Sequence, residues 1–216
     1  MTQESVLTRL REGGLVVVAR RLERQHTSPV AACLVEVGAP ALELTLDEPT
    51  AIESIAEIHQ QLSGQLLIGA GTVLQSSDAK KAIAAGADFV VSPVYIPSVL
   101  RLCRESNVLY IPGAASPTDI FRILKSGAGA VKLFPASLMT PSYIRDVLEP
   151  FRNYDPVFML TGGLDTDQIA SYVAAGVAMV GVGKAILDPA ALTARQYGRI
   201  GTRALQILQV IRASKK

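Results

Sequence analysis

The sequence predicts an α/β protein of the (β/α)8 TIM-barrel class with an extra helix before the first strand. Short apolar and β-branched runs alternate with longer segments of helical spacing, as expected for repeated βα units around a parallel sheet. A chain of 216 residues, 49% of them hydrophobic, is long enough for one such barrel. Eight runs qualify as strands: residues 15–19, 41–46, 65–69, 88–92, 108–111, 130–134, 157–160 and 178–182.

A repeated glycine supports this count of units. Gly38, Gly86, Gly127 and Gly176 each stand between a helical segment and the next strand, where a positive φ favours glycine. Because no linker divides the chain, we expect residues 1–216 to form a single barrel domain. A doubly wound open sheet is the alternative, since a sequence pattern does not prove closure. Helices are expected at residues 2–12, 53–62, 77–85, 117–126, 141–151, 165–175 and 193–214.

Composition argues against several kinds of partner. The formal net charge is only +2, with Lys and Arg interspersed among Asp and Glu, so we expect neither nucleic-acid nor membrane binding. No run reaches the roughly 20 apolar residues of a membrane span. Residues 1–14 are polar and charged, which argues against a signal peptide and favours a cytoplasmic location.

The motifs predict no cofactor and no metal. The sequence has no metal-ligand spacing, and no glycine-x-glycine-x-x-glycine turn follows the first strand. Cys33 and Cys103 lie in segments of helical spacing and are expected to be buried reduced thiols. His26 and His59 lie in polar stretches and are expected at the surface.

Alternation along two strands predicts a pair of opposite charges inside the barrel. Successive side chains of a strand point to opposite faces. In residues 41–46 the leucines share the face that suits the helix layer, which turns Glu43 inward. The same parity in residues 130–134 turns Lys132 inward. These two strands therefore bring an acid and an amine into one apolar cavity.

This pair predicts carbonyl chemistry. A dry cavity disfavours the ammonium form of a lysine, and the neutral amine can attack a carbonyl. Glu43 could transfer protons beside it. A purely structural ion pair between Glu43 and Lys132 is the alternative, although burying such a pair seldom stabilises a protein relative to apolar residues.

Two further candidates follow strands 1 and 3, at the face where barrel enzymes carry their active sites. In residues 69–72 two glycines let the backbone approach a ligand, and the Thr72 hydroxyl could bind a carboxylate oxygen. Arg20, directly after the first strand, can reach the same rim, whereas Arg21 and Arg24 are expected to face solvent.

Glycine-rich turns after strands 7 and 8 predict an anion site. Thr161, Gly162 and Gly163 follow the seventh strand, and Gly183 and Lys184 follow the eighth. Barrels commonly bind phosphate at this pair of turns, with amides at a helix N-terminus facing the anion.

Six motifs in sequence order resemble the 2-keto-3-deoxy-6-phosphogluconate aldolase family, which includes 6-phosphogalactonate and 4-hydroxy-2-oxoglutarate aldolases. The resemblance runs along nearly the whole chain. The lysine-aliphatic-Phe-Pro motif and the glutamate motif of strand 2 are specific to this group. The motifs are residues 42–46, 68–74, 91–93, 111–113, 131–136 and 161–163.

The resemblance implies a metal-independent class I aldolase, usually a homotrimer, that cleaves a keto acid to pyruvate and an aldehyde. By motif, Lys132 matches the Schiff-base lysine and Glu43 the general acid and base. The expected reaction converts a 2-keto-3-deoxy-6-phospho sugar acid to pyruvate and glyceraldehyde 3-phosphate.

The same resemblance implies how substrate is bound. Thr72 matches a contact to the pyruvate carboxylate, and Pro93 and Phe134 match residues that line the pyruvate pocket. Gly162 and Gly163 match the phosphate-binding turn.

Two positions depart from the family pattern. Phosphogluconate aldolases commonly have arginine where this chain has Asp47, and an acid there does not bind an anion directly. The 6-phosphogalactonate branch instead uses an arginine at the end of strand 1, which Arg20 matches. Lys184 stands where relatives often have serine, and it suits either a phosphate or a carboxylate. These departures affect the substrate more than the chemistry.

Three other functions stay open at this point. One is an aldolase for a non-phosphorylated keto acid such as 4-hydroxy-2-oxoglutarate. Another is a non-catalytic barrel that binds a sugar phosphate. The third is a different barrel enzyme that acts on phosphorylated ligands, such as an isomerase or synthase, since this fold hosts many chemistries.

Overall fold

The computed structural model describes residues 1–215, so the predicted domain span of 1–216 includes one residue, Lys216, outside the described part. Within this range the strands are β1 (Leu15–Ala19), β2 (Ala41–Thr45), β3 (Leu67–Gly71), β4 (Phe89–Val91), β5 (Leu109–Ile111), β6 (Gly113–Ala114), β7 (Val131–Leu133), β8 (Phe158–Thr161) and β9 (Met179–Val182). The α-helices are α1 (Gln3–Gly13), α2 (Arg24–Glu36), α3 (Ala51–Leu62), α4 (Ser76–Ala84), α5 (Pro97–Glu105), α6 (Pro117–Lys125), α7 (Pro141–Leu148), α8 (Ile169–Ala174), α9 (Pro189–Thr193) and α10 (Tyr197–Ser214). Short 3-10 helices lie at Ala136–Leu138, Glu149–Tyr154 and Thr166–Gln168.

The strands form one parallel sheet that closes through a broken strand. Their order is β5-β4-β3-β2-β1-β9-β8-β7-β6. Only Pro112 separates β5 from β6, and β5 pairs with β4 while β6 pairs with β7. Proline has no amide hydrogen to donate, but the Pro112 carbonyl accepts a hydrogen bond of 2.8 Å from the Lys132 amide. The β5 and β6 segments thus act as one strand position, which confirms the predicted (β/α)8 barrel over an open sheet.

Two apolar layers fill the structure, one between sheet and helices and one inside the barrel. Leu42 and Leu44 pack in the outer layer, as the alternation of β2 predicts. Phe89 packs in the inner layer. The predicted extra helix, α1, inserts Val6 and Leu10 into this inner layer and so covers the amino-terminal ends of the strands.

Several predicted boundaries are wrong for physical reasons. The third strand is shifted by two residues, because the Leu66 amide still bonds to Leu62 and pairing with β2 starts at Leu67. The last helix, predicted from residue 193, begins only at Tyr197, because Arg195, with a φ of +52°, separates α10 from the short helix α9. The helix predicted at 165–175 begins as a 3-10 helix and becomes α8 only at Ile169.

The prediction that both histidines lie at the surface is wrong for His26. This side chain is buried, and its Nδ1 lies 2.9 Å from the Tyr197 hydroxyl, because the start of α2 packs against the start of α10. His59 is half-buried.

Both cysteines are buried and free, as predicted. Burial raises the pKa of Cys33 to about 11 and that of Cys103 to about 12. Across residues 1–215, no helix combines the length and the apolar character that crossing a membrane requires.

Adding one methyl group at Gly69 should destabilise the barrel by about 1–3 kcal/mol, because overpacking a filled core forces its neighbours to move. A Cβ at this position of β3 would overlap the buried Phe89 ring. Gly198→Ala is the matched control, since a Cβ there meets no atom within 4 Å, and it should be neutral or stabilise by about 0.4–1 kcal/mol. Urea unfolding of both variants measures this difference, and equal effects would contradict it.

Candidate active site

A cavity of about 420 Å³ opens at the carboxyl ends of the strands. It brings together every residue that the sequence singles out as catalytic or substrate-binding. It also includes Thr45 from β2 and Leu164 and Ala185 from the two glycine-rich turns, which the sequence analysis missed. The predicted residues in its lining are Arg20, Glu43, Thr72, Pro93, Lys132, Phe134, Thr161, Gly162, Gly163, Gly183 and Lys184.

Lys132 is fixed at the middle of β7. It pairs with Gly113 of β6 on one side and with Met159 of β8 on the other, and its side chain is only 6% exposed. Its Nζ lies 5.2 Å from the centroid of the Phe134 ring, within the range of a cation–π interaction. The strand ladder therefore sets the position of this amine.

Glu43 lies in β2 and is 1% exposed. Neither of its carboxylate oxygens has a hydrogen-bond partner within residues 1–215. Burial raises the pKa of Glu43, and the positive charge of Lys132 offsets part of this increase. A structural ion pair would satisfy the carboxylate with hydrogen bonds, so this geometry favours a group that exchanges protons.

The two glycines of β3 leave space for side chains on the adjacent strands. Gly69 and Gly71 were expected to let the backbone approach a ligand, but neither lines the cavity. A Cβ at Gly69 would overlap Phe89, and one at Gly71 would overlap the Glu43 carboxylate. The absent side chain of Gly71 thus makes the room in which Glu43 lies.

Thr72 occupies a strained backbone conformation at the edge of the cavity. Its φ is +57°, a left-handed value that is unusual for a β-branched residue and typically costs about 1–3 kcal/mol. The sequence pattern gives no sign of this strain. Such strain persists only where surrounding contacts enforce it, and it is common at ligand-binding positions.

The turn after β8 forms part of the cavity wall. Gly162 and Gly163 have φ values of +96° and +71°, which disfavour other residues. A Cβ on Gly162 would lie 2.6 Å from the Phe134 ring, so this glycine allows close packing beside Lys132. The expected helix N-terminus is not at this turn, because the 3-10 helix begins only at Thr166.

Backbone amides without a hydrogen-bond partner among the described residues lie at the rim instead. The amides of Gly163 and Leu164 after β8, and of Lys184 and Ala185 after β9, donate no hydrogen bond within the described residues. The Lys184 side chain is exposed at the same rim. Turn amides and one cation can together bind phosphate or carboxylate.

Asp47 follows β2 and contacts the two arginines that follow β1, the strand next to β9. Its Oδ2 lies 3.4 Å from the Arg20 Nε and 3.1 Å from the Arg21 Nε. Burial raises the pKa of Asp47, but hydrogen bonds from Thr45 and Arg21 and the charges of the two arginines outweigh it, so the net pKa is lowered. Arg21 is exposed, as predicted, but its contact with Asp47 was not foreseen.

In the part of the chain that the structure describes, no three His, Cys, Asp or Glu side chains cluster so that they could hold a metal ion.

A (β/α)8 barrel that encloses one lysine and one buried glutamate below a polar rim has the features of a class I aldolase. Comparison with known proteins identifies the group. The family model described as KDPG and KHG aldolase matches residues 6–203. The chain therefore belongs to the KDPG and KHG aldolase family, and it is a class I aldolase, a lyase. This membership favours an enzyme over a non-catalytic barrel.

Two relatives and two solved structures illustrate the similarity. The 2-dehydro-3-deoxy-phosphogluconate aldolase of Treponema pallidum is 36% identical over 197 residues, which cover 91% of each chain. A probable 2-dehydro-3-deoxy-6-phosphogalactonate aldolase of Rhizobium meliloti is 30% identical over 178 residues, 82% of this chain and 84% of the relative.

Among solved structures, KDPG aldolase of Legionella pneumophila, with pyruvate captured as a covalent carbinolamine, has a TM-score of 0.85. It is 27% identical, with coverage of 96% of this chain and 98% of that one. A native KDPGal structure has a TM-score of 0.86 at 25% identity, covering 93% and 95%.

The buried Glu43 carboxyl should make stability depend on pH. Because its pKa in the folded state is raised above the ordinary 4.5, its contribution is most favourable below pH 4.5 and is lost as pH rises through the folded-state pKa. Glu43→Gln removes this titration. The free energy of unfolding of the wild type, relative to Glu43→Gln, should fall as pH rises above 4.5. Urea unfolding at pH 4 to 8 measures it, and a constant difference over that range would refute the expectation.

Proposed function

We propose that this chain cleaves a 2-keto-3-deoxy-6-phospho sugar acid to pyruvate and glyceraldehyde 3-phosphate, with Lys132 as the Schiff-base nucleophile. One observation carries the proposal: Lys132 and the unpartnered Glu43 carboxylate line the same cavity, below a rim of free amides. The named activities of the Treponema and Rhizobium relatives support this substrate class.

The reaction begins at the C2 ketone of the substrate. The neutral Lys132 amine adds to C2, and the Glu43 carboxyl donates the proton with which the hydroxyl leaves as water, giving a protonated imine. The Glu43 carboxylate then takes the proton of the C4 hydroxyl. The C3–C4 bond breaks, its electron pair moves into the imine to form an enamine, and the aldehyde leaves. Protonation at C3 and hydrolysis of the imine release pyruvate and free the lysine.

The pyruvate half of the substrate lies, in this proposal, between Thr72, Pro93 and Phe134. Thr72 binds the carboxylate, and Pro93 and Phe134 form the apolar walls. The buried Thr161 hydroxyl supplies a further polar contact near the reacting carbons. An apolar wall with few polar groups excludes water from the imine and orients the keto acid.

The terminal phosphate binds, in this proposal, at the rim. The amides next to Gly162, Gly163 and Gly183 surround it, and Lys184 adds a positive charge. Arg20 also lines the opening, directly after the strand next to β9, where it can bind the sugar-acid chain or its charged end. Two cations at one opening fit a substrate with two negative groups.

A second candidate is an aldolase for a plain keto acid such as 4-hydroxy-2-oxoglutarate. The Lys184 side chain fits this candidate too, since a flexible point charge binds a carboxylate as readily as a phosphate. A solved aldolase with both 4-hydroxy-2-oxoglutarate and phosphogluconate activities in its name has a TM-score of 0.84 to this chain at 28% identity.

We also propose that the chain forms a homotrimer and acts in the cytoplasm. Phe121 and Tyr154 are 45% and 46% exposed and pack with Phe151 in one aromatic cluster, a composition typical of subunit interfaces. The two free cysteines fit a reducing compartment.

Incubation with pyruvate and borohydride should attach a reduced three-carbon adduct to Lys132, because the imine that the lysine forms is trapped by reduction. Peptide mapping by mass spectrometry locates the adduct. Lys132→Ala should give no adduct and no turnover. Lys184→Ala is the matched control, since it removes the other lysine of the cavity and should still be labelled at Lys132. Full turnover in Lys132→Ala would end the proposal.

The rim should discriminate between phosphorylated and plain substrates. Lys184→Ser should lower kcat/KM for the phosphorylated sugar acid by about tenfold, since it removes one charge-assisted contact from a solvated position. The same substitution should not change kcat/KM for 4-hydroxy-2-oxoglutarate. It should also not change the pyruvate concentration that gives half-maximal trapping. Steady-state kinetics with both substrates test this. The second candidate would be favoured if the wild type cleaves 4-hydroxy-2-oxoglutarate faster than the phosphorylated sugar acid and if Lys184→Ser lowers kcat/KM equally for both substrates.

A further inference from the structure

Val73, the residue after the strained Thr72, is hydrogen-bonded through both of its backbone polar groups. The Val73 amide donates a 3.1 Å hydrogen bond to the Val91 carbonyl at the end of β4. The Val73 carbonyl accepts a 2.6 Å hydrogen bond from the Ser92 hydroxyl. The amide and the carbonyl of Val73 are thus both hydrogen-bonded, the amide to the last residue of β4 and the carbonyl to Ser92, which follows it.

Ser92 is itself completely buried and fixed. Its exposed fraction is 0%, and its amide donates a 3.2 Å hydrogen bond to the Ile111 carbonyl of β5. Ser92 is not part of the cavity lining, whereas the next residue, Pro93, is. A serine hydroxyl at a fully buried position has to find a partner, and here that partner is the turn that carries Thr72.

Tyr110 holds the other side of Pro93. Its hydroxyl donates a 3.3 Å hydrogen bond to the Val94 carbonyl and accepts one of 3.3 Å from the Ile96 amide. Burial raises the pKa of Tyr110 to about 12, so it keeps its donor proton at neutral pH. Ser92 and Tyr110 therefore fix the backbone before and after Pro93.

We infer that Ser92 is a positioning residue that holds Thr72 in its left-handed conformation and thereby sets the affinity for the carboxylate end of the keto acid. The inference rests on the proposed role of Thr72 in binding that carboxylate. Without the Ser92 hydroxyl the Val73 carbonyl is buried and unsatisfied, and the turn relaxes toward a less strained φ at Thr72. The Thr72 hydroxyl then moves away from the carboxylate.

The test measures the rate of borohydride inactivation of the full-length chain as a function of pyruvate concentration. Ser92→Ala should raise the half-saturating pyruvate concentration by about tenfold, a loss typical of a displaced binding contact. Ser92→Thr keeps the hydroxyl and should restore the affinity to within about twofold of the wild type. Thr72→Val, which keeps the β-branch, should itself weaken pyruvate binding.

The double variant tests whether Ser92 acts through Thr72. In a Thr72→Val background, Ser92→Ala should change the half-saturating concentration less than twofold, since the contact that Ser92 positions is already absent. The two effects should therefore not add, as expected of coupled residues. Ser126→Ala is the matched control, because the Ser126 hydroxyl makes an equal 2.6 Å bond to the Ile123 carbonyl at the end of α6. It should leave pyruvate affinity unchanged. If Ser92→Ala is insoluble, Ser92→Cys, whose thiol is a weak donor, takes its place with the same expectation.

Two results would overturn the inference. One is a Ser92→Ala variant whose pyruvate affinity is unchanged, whether or not its stability falls. The other is an equal loss of affinity with and without the Thr72 hydroxyl. Both leave trapping on Lys132 intact, whereas a failure of the proposed function would show as no trapping in the wild type.

Discussion

The site depends on one energetic constraint: an ionisable carboxyl, Glu43, is held inside the barrel without a hydrogen-bond partner within the described residues. An unpaired buried carboxylate is costly, and the raised pKa of Glu43 is the direct sign of that cost. The charge of Lys132 lowers the cost only in part. The apolar layers on both faces of the sheet must supply the remaining stability. Because the protein leaves these oxygens free, a substrate or water can use them.

The same constraint explains why glycine recurs around the cavity. Gly71 leaves the space that the Glu43 carboxylate fills, and Gly162 lets its turn pack on the Phe134 ring. A Cβ at Gly181 would lie 2.6 Å from the Thr161 hydroxyl, so this strand glycine accommodates a buried polar side chain. A closed barrel interior holds few side chains. Large functional groups therefore require small neighbours on the adjacent strands.

Side chains alternate between the two faces of a strand, and this alternation can be read from a few consecutive residues. The sequence alone could therefore place Glu43 and Lys132 inside the barrel. The carboxyl ends of parallel strands meet at one face, which is why residues far apart in sequence could be assigned to one cavity. The shifted start of β3, buried His26 and the φ of Thr72 were missed because each depends on contacts with another element. Ser92 was missed as well, since a buried serine carries no periodic signal. Local patterns thus predict which face a residue lies on, but not which residue holds another in place.

In the proposed function, the residues that carry the chemistry and those that set substrate specificity are physically separate. Lys132 lies in a strand and is buried, whereas Arg20, Asp47 and Lys184 lie on loops and retain solvent contact. Asp47 cannot bind an anion directly, but it contacts Arg20 through Nε. The terminal guanidinium nitrogens of Arg20 have no hydrogen-bond partner among residues 1–215 and can bind a ligand. An acid at this position is therefore compatible with an anionic substrate, because it orients an arginine from the neighbouring strand. Rim residues can change in this way without disturbing the strand that fixes the reactive amine.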